Sequence, residues 1–333
     1  MKRLFLICVI AVCFSHVVYP QKRARHGETQ EPMVHDPVMA KEGDKFYLYF
    51  TGWNVSAMST KDMITWHYEQ DVFRNPPQWA MDSVPGYKGH TWAPDVIYHD
   101  GKYHMFYSCS TFGKNTSAIG HAYRTTLEPN DSLSWTDTGM VIVSRPGDNY
   151  NAIDPNIIID EDNTPWMSFG SFWGGIQLVR LSEDMTGILP SDTVRTICSR
   201  VGGRRSNPDN RIPNAVEAPF IFHHGGYYYL FVSFDYCCRG INSNYKVMVG
   251  RSRQVEGPYL DKEGHDMADG GGSLLIADDK HHVAIGHCSA YHFDGKDYFL
   301  AHGYSRKHDG RSMLVLKEIQ WDEEGWPVLR DIF

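Results

Sequence analysis

The stretch Asn214-Ala215-Val216-Glu217-Ala218-Pro219-Phe220-Ile221-Phe222 decides the fold, because its phrasing recurs along the chain. An acid stands beside a proline, an apolar run follows, then Gly225-Gly226, then Tyr227-Tyr228-Tyr229-Leu230-Phe231-Val232-Ser233. Strand, tight turn and strand predict a β-hairpin. His35-Asp36-Pro37 leads in the same way to Gly43 and Phe46–Phe50, and Trp92-Ala93-Pro94 to Asp100-Gly101 and Tyr103–Ser108. Ile153-Asp154-Pro155 leads to Asp162-Asn163 and Trp166–Phe169, and His287-Cys288-Ser289 to Asp294-Gly295 and Tyr298–Leu300.

Successive units lie about 60 to 70 residues apart, a period that signals a repeat architecture. Strand repeats that cannot bury a face alone must stack or close on themselves. Five such units predict an all-β, single-domain five-bladed β-propeller over residues 32–333, against the alternative of a β-sandwich. Blades converge on an axis, so five scattered residues are expected to share one cavity: Asp36, Trp92, Asp154, Glu217 and His287. No helix of convincing period is visible. The segments 75–89 and 198–212 read as long loops that wall the cavity. Chain ends normally meet in one blade, and residues near Met33 are expected to pair with the C-terminal blade.

The composition excludes several functions. Formal net charge is −8 over 333 residues. An acidic surface repels phosphate backbones, so nucleic acid is not an expected partner. Met1-Lys2-Arg3 followed by the apolar run Leu4–Phe14 reads as a secretory signal, set at residues 1–20. The run is too short to span a membrane. Cys13 only weakly resembles a lipoprotein box, so a secreted protein, periplasmic or extracellular, is expected rather than a lipid-anchored one. Residues 21–31 read as a flexible lead. Outside the signal, five cysteines remain, which is no disulfide framework. Cys237-Cys238 are read as packed thiols, because a bond between neighbours closes a small ring. No pairs at zinc-ligand spacing stand out.

Three acids at corresponding places are the chemical signal. Burying carboxylates together raises one pKa and leaves another ionised. That separation suits a general acid and a general base, as in glycoside hydrolysis. Trp92, Phe112, Phe172 and Trp173 would stack on sugar faces. Neither a phosphate loop nor a nucleophile elbow stands out.

His35-Asp36-Pro37, Ile153-Asp154-Pro155-Asn156 and Val216-Glu217-Ala218-Pro219 resemble the three acid motifs of glycoside hydrolase family 43. Gly89-His90-Thr91-Trp92-Ala93-Pro94-Asp95, Gly170-Ser171-Phe172-Trp173 and Phe234-Asp235-Tyr236-Cys237-Cys238-Arg239-Gly240 are similar to signatures of its endo-α-1,5-L-arabinanase subgroup. The resemblance covers roughly residues 33–320. It implies a five-bladed propeller and inverting endo-hydrolysis of α-1,5-linked L-arabinan in plant cell-wall pectin. Asp36 would be the base that activates water and Glu217 the acid. Asp154 would hold and tune that acid and contact the sugar. An inverting pair is expected about 6.5–9.5 Å apart. Asn151 and Ser171 would add polar contacts to arabinan. His287 matches an axial histidine beside a metal, usually calcium, although calcium prefers oxygen ligands. The chain stops soon after the last unit, which favours an open groove by analogy.

The alternatives are an exo-acting arabinofuranosidase or β-xylosidase of the same family, and a non-catalytic sugar-binding propeller. An invertase-like fructosidase would need an Arg-Asp-Pro triplet and a Glu-Cys acid motif, where this chain has Ile153-Asp154-Pro155 and Glu217-Ala218.

Overall fold

A computed structural model describes residues 27–128, 134–200 and 214–333. The expected signal falls outside them, as do most of the loop at 198–212 and part of the lead. Five antiparallel sheets follow one another in sequence, each with its first long strand innermost. Those inner strands are Val38–Glu42, His90–His99, Asn156–Ile159, Val216–His224 and His282–Phe293. Each lies beside the next, and the fifth closes on the first. This is the expected five-bladed propeller.

The turn chemistry explains the hairpins. Asp100-Gly101, Gly225-Gly226 and Asp294-Gly295 all have positive φ at both positions. That is the two-residue turn whose twist matches the strands it joins. Packing explains closure. One apolar cluster fills each gap between blades, with Tyr49 against Tyr107, Phe106 near Met167, Leu178 near Leu230, Phe231 near Phe299, and Leu300 near Leu48. Burying each such side chain contributes about 1.5–3 kcal/mol.

Several local expectations are revised. Glu28–Thr29 pairs with Trp66–Tyr68 as the outer strand of blade one, so this part of the lead is anchored. A short helix, Gln78–Ser83, occupies the proline-rich loop between Pro77 and Pro85. Proline at a helix boundary costs little, since the first N–H groups of a helix lack partners anyway. The chain ends do meet. Blade five is built entirely of C-terminal strands, and Pro32 and Val34 lie along its third strand, accepting from Leu314 N–H (3.0 Å) and Ser312 Oγ (2.6 Å).

The inner strands all begin at one end of the axis, in a cavity of about 710 Å³. They run from it to a second, mostly apolar cavity of about 480 Å³ lined by Ile97, Ile157, Phe220 and Tyr291.

Candidate active site

At the start of each inner strand the backbone makes the same unusual move. Asp36, Ala93, Asp154, Ala218 and His287 have φ of 54°, 36°, 56°, 54° and 50°. Non-glycine residues rarely sit there. Pro37, Pro94, Pro155 and Pro219 follow four of them, and Cys288 follows the fifth. In blades two, four and five the pairing register slips at this place, as bulges do where a side chain must be re-aimed. By backbone, then, the equivalents of Asp36, Asp154 and His287 are Ala93 and Ala218. Trp92 and Glu217 stand one residue earlier.

That offset does not scatter the site. The 710 Å³ cavity is lined by Asp36, Trp92, Phe112, Asn151, Asp154, Ser171, Phe172, Trp173, Glu217 and His287. Every residue singled out from the sequence is therefore in one place. Asp36 and Asp154 are buried, at 6% and 7% exposure, whereas Phe112 at the rim is 77% exposed.

The two buried aspartates are held in opposite states. Asp36 Oδ1 accepts from His35 Nδ1 at 2.8 Å and His287 Nδ1 at 2.9 Å, and Thr51 Oγ1 donates to Oδ2 at 2.5 Å. Burial works against its charge, but His287 and His35 outweigh burial and hold the carboxyl well below the usual range. His287 responds in kind. Burial disfavours its charge, Asp36 overrides this, and its pKa rises to about 9. The result is a buried aspartate–imidazolium pair. His302 lies 3.5 Å from the same oxygen, yet its Nδ1 accepts from Asp36 N–H at 3.1 Å, and burial keeps the ring neutral. Asp154 goes the other way. Burial chiefly, with the Glu217 and Asp36 charges adding to it and His287 opposing, pushes it to about 8, so it carries its proton at neutral pH. Its Oδ2 accepts from Ala218 N–H at 3.2 Å.

Glu217 has two hydroxyl partners, Tyr245 Oη on Oε1 at 2.8 Å and Ser171 Oγ on Oε2 at 2.7 Å. The turn that presents Ser171, Phe172 and Trp173 is left-handed at both aromatics, with φ of 59° and 36°. Phe172 N–H donates to Val216 O, and Trp173 O accepts from Asn214 Nδ2. Gly170 makes the turn possible, because a Cβ there would stand 2.5 Å from Gly175 O. Across the cavity the Asn151 side-chain oxygen is buried with no protein partner.

A family model described as glycosyl hydrolases family 43 matches residues 30–327. The chain belongs to this family. An extracellular exo-α-(1→5)-L-arabinofuranosidase of Cellvibrio japonicus is 46% identical over 88% of this chain and 85% of its own length. An extracellular endo-α-(1→5)-L-arabinanase of Bacillus subtilis is 38% identical over 92% of this chain and 91% of its own. A solved exo-1,5-α-L-arabinanase from a bovine ruminal metagenomic library is 51% identical, with a TM-score of 0.85 over 90% of this chain and 98% of its own.

For a family-43 enzyme, the wall opposite Trp92 departs from the sequence reading. Cys237 and Cys238 line the cavity as a disulfide, not as packed thiols. The backbone turns at Cys238, with φ 68°, and its N–H donates to Tyr304 Oη at 2.6 Å. Tyr304 Oη in turn lies 3.3 Å from His35 Nε2, so this loop reaches the ring that holds Asp36.

The axial calcium is a weak fit to these side chains. His287 Nδ1 is taken by Asp36, which leaves one ring nitrogen. Among the described residues, the convergent three-ligand groups are His35–Cys237–Cys238 and His35–Asp36–His302, and neither includes His287. Calcium takes six to eight oxygens. The chain offers it one nitrogen, and water would have to supply the rest.

Sequence reasoning missed His302, Tyr304, Ser233 and Tyr245. A signal for two of them existed. The apolar run of a unit's second strand stops at a side chain that can accept a hydrogen bond in Thr51, Ser108, Ser233 and His302.

Proposed function

We propose that this chain hydrolyses α-1,5-linked L-arabinan with inversion at the anomeric carbon. The observation that supports it most is the gathering of three carboxyls in one cavity, with Asp36 held by His35, His287 and Thr51 and Asp154 buried beside Glu217. Asp36, ionised and oriented by Thr51, His35 and His287, takes a proton from water as that water attacks the anomeric carbon. Glu217 gives a proton to the departing glycosidic oxygen, on the opposite side of the sugar. Asp154 stays neutral, adds no negative charge beside Asp36, and holds the backbone just after Glu217. Trp92, Phe112, Phe172 and Trp173 offer ring faces to arabinose units, and Asn151 offers its unpartnered amide. A calcium ion would be held by His287 Nε2 only with that ring neutral, and otherwise by water, adding positive charge near the carboxyls, and no step here depends on it.

The mode of attack has two readings. The motif resemblance favours internal cleavage. Release from a chain end is favoured by the relatives named exo, at 46% and 51% identity, over those named endo, at 38% and 40%. We take chain-end release as the stronger reading. The relatives named extracellular support a secreted enzyme, periplasmic or outside the cell. Among the described residues no helix is long and apolar enough to cross a membrane.

Product analysis on linear α-1,5-arabinan, with the new anomeric centre followed by proton NMR, tests both parts. A single short product from the outset supports chain-end release, and early mixed oligosaccharides support internal cleavage. Retained configuration removes Asp36 from the water-activating role. Binding without cleavage promotes a sugar-binding propeller.

A further inference from the structure

The hydrogen bonds behind Glu217 hold it from the side away from the cavity. His287 N–H donates to Ser233 Oγ at 2.8 Å. Ser233 is the cross-strand partner of Glu217 in the hairpin of blade four. Tyr245 Oη donates to Glu217 Oε1, 2.8 Å away.

Tyr245 is built into this role. It is 1% exposed and does not line the cavity. Its ring lies flat on Gly286, where an added Cβ would stand 2.0 Å from Cδ1. The His302 ring lies beside it, centroids 5.8 Å apart and 25° between planes. A fully buried ring pressed on the Gly286 backbone leaves its hydroxyl little freedom. Ser171, on the other oxygen of Glu217, does line the cavity.

We infer that Tyr245 is a positioning residue that occupies Glu217 Oε1 as a fixed donor and thereby leaves Oε2, on the cavity side beside Ser171, to carry the proton given to the leaving group. This rests on the reading of Glu217 as the general acid. Oε1 receives a hydrogen bond whether Glu217 is protonated or not, so it is a poor place for the acid's own proton. The Ser171 hydroxyl can rotate, donating to Oε2 when that oxygen is bare and accepting from it when protonated. The acid is thereby aimed before substrate arrives, the arrangement in which proton transfer is fastest.

The test compares leaving groups in the full-length enzyme. Arabinan leaves as a sugar alkoxide and needs the acid. A 2,4-dinitrophenyl α-1,5-arabinotrioside leaves as a weak base and needs little help. Tyr245→Phe keeps the ring against Gly286. It is expected to lower kcat on arabinan by about 10- to 100-fold, with KM within about twofold and kcat on the dinitrophenyl substrate within about threefold. Equal losses on both substrates would reveal a structural role and overturn the inference, as would no loss on either. Glu217→Gln, assayed alongside, separates the two levels. If Glu217→Gln loses arabinan turnover selectively while Tyr245→Phe behaves as wild type, only the inference falls. If Glu217→Gln keeps arabinan turnover, the acid assignment falls and the inference with it.

Discussion

Blade four and the other four blades begin alike and then differ by one contact. At four strand starts the left-handed residue donates its N–H to the side chain that ends the second strand of the preceding blade. Asp36 uses His302, Ala93 uses Thr51, Asp154 uses Ser108 and His287 uses Ser233, at 2.8 to 3.1 Å. At Ala218 that peg is missing, because the matching position in blade three is Gly170, whose N–H bonds Ile153 O just as Thr51 N–H bonds His35 O. Asp154 Oδ2 takes the orphaned amide instead. A neutral Asp154 can do this, and its burial keeps it neutral. One missing side chain thus ties Asp154 to the backbone beside Glu217, which stands one place before the repeated position. The repeat supplies the scaffold, and its one break supplies the coupling between acid and helper.

The largest effects should come from the two carboxyls assigned to the chemistry, Asp36 at an intact blade start and Glu217 beside the break. Asp36→Asn and Glu217→Gln are each expected to lower arabinan turnover by about 10²- to 10⁴-fold, measured as new reducing ends, with arabino-oligosaccharide binding retained by calorimetry. Turnover near wild type in Asp36→Asn would show that the paired aspartate is only scaffold, like Ala93.

Asp154 sharpens the comparison, because it is the carboxyl that replaces a peg and burial decides its charge. Its folded-state pKa is raised to about 8. The neutral form is thus present at pH 6 and is lost as pH rises through about 8. Asparagine imitates the neutral form and alanine does not. Asp154→Asn is expected to retain about tenfold more kcat/KM at pH 6 than Asp154→Ala, the worth of roughly one hydrogen bond. Equal activities for the two would mean that the charged form is the one used. Above pH 8 the wild type should lose the advantage that Asp154→Asn keeps.

The pegs themselves are next. Ser108→Ala leaves the buried Asp154 N–H without its acceptor. The expected cost is about 1–3 kcal/mol of stability, read from urea midpoints. Serine to alanine at an exposed site such as Ser191 should change nothing measurable. A cost near zero for Ser108→Ala would show that the left-handed turn is held by packing alone.

Most of this molecule could be read in the chain, down to a cavity holding all ten chosen residues, because hairpin turns, prolines and acids each leave a local mark. The prolines even carried the true register. Asp36, Ala93, Asp154 and Ala218 each precede one, whereas choosing residues for their chemistry moved Trp92 and Glu217 one place into the ring. Tyr245, Tyr304 and His302 were hidden for a physical reason. His302 and Tyr304 lie in a second strand, where an aromatic or imidazole in an apolar run reads as core until the facing blade is known, and Tyr245 sits in the polar loop just before a third strand. The Cys237–Cys238 bond escaped because ring size argued against it, and only the turned backbone at Cys238 shows how the two sulfurs meet.

The smallest expected effect concerns a deeper ring of pegs, further along the axis. Asp95 Oδ2 accepts from Ile157 N–H at 2.6 Å and from Asn156 Nδ2 at 3.2 Å, and Asn156 Oδ1 accepts from Ile221 N–H at 2.8 Å. Blades two, three and four are thus linked below the catalytic level by a carboxyl and an amide. Burial chiefly, opposed by these donors, raises Asp95 to about 7. The unfolded value is about 4, so the folded state holds the proton more tightly. Its stabilising share is complete below about pH 4 and is lost as pH rises through about 7. Asp95→Asn removes that slope and keeps an oxygen for Ile157. Melting temperatures of wild type and Asp95→Asn should therefore converge, or cross in favour of the variant, between pH 5 and pH 8. Parallel curves over that range would mean that Asp95 is ionised in the fold and that its backbone donors outweigh burial, which would make the deep ring charged where the mouth keeps Asp154 neutral.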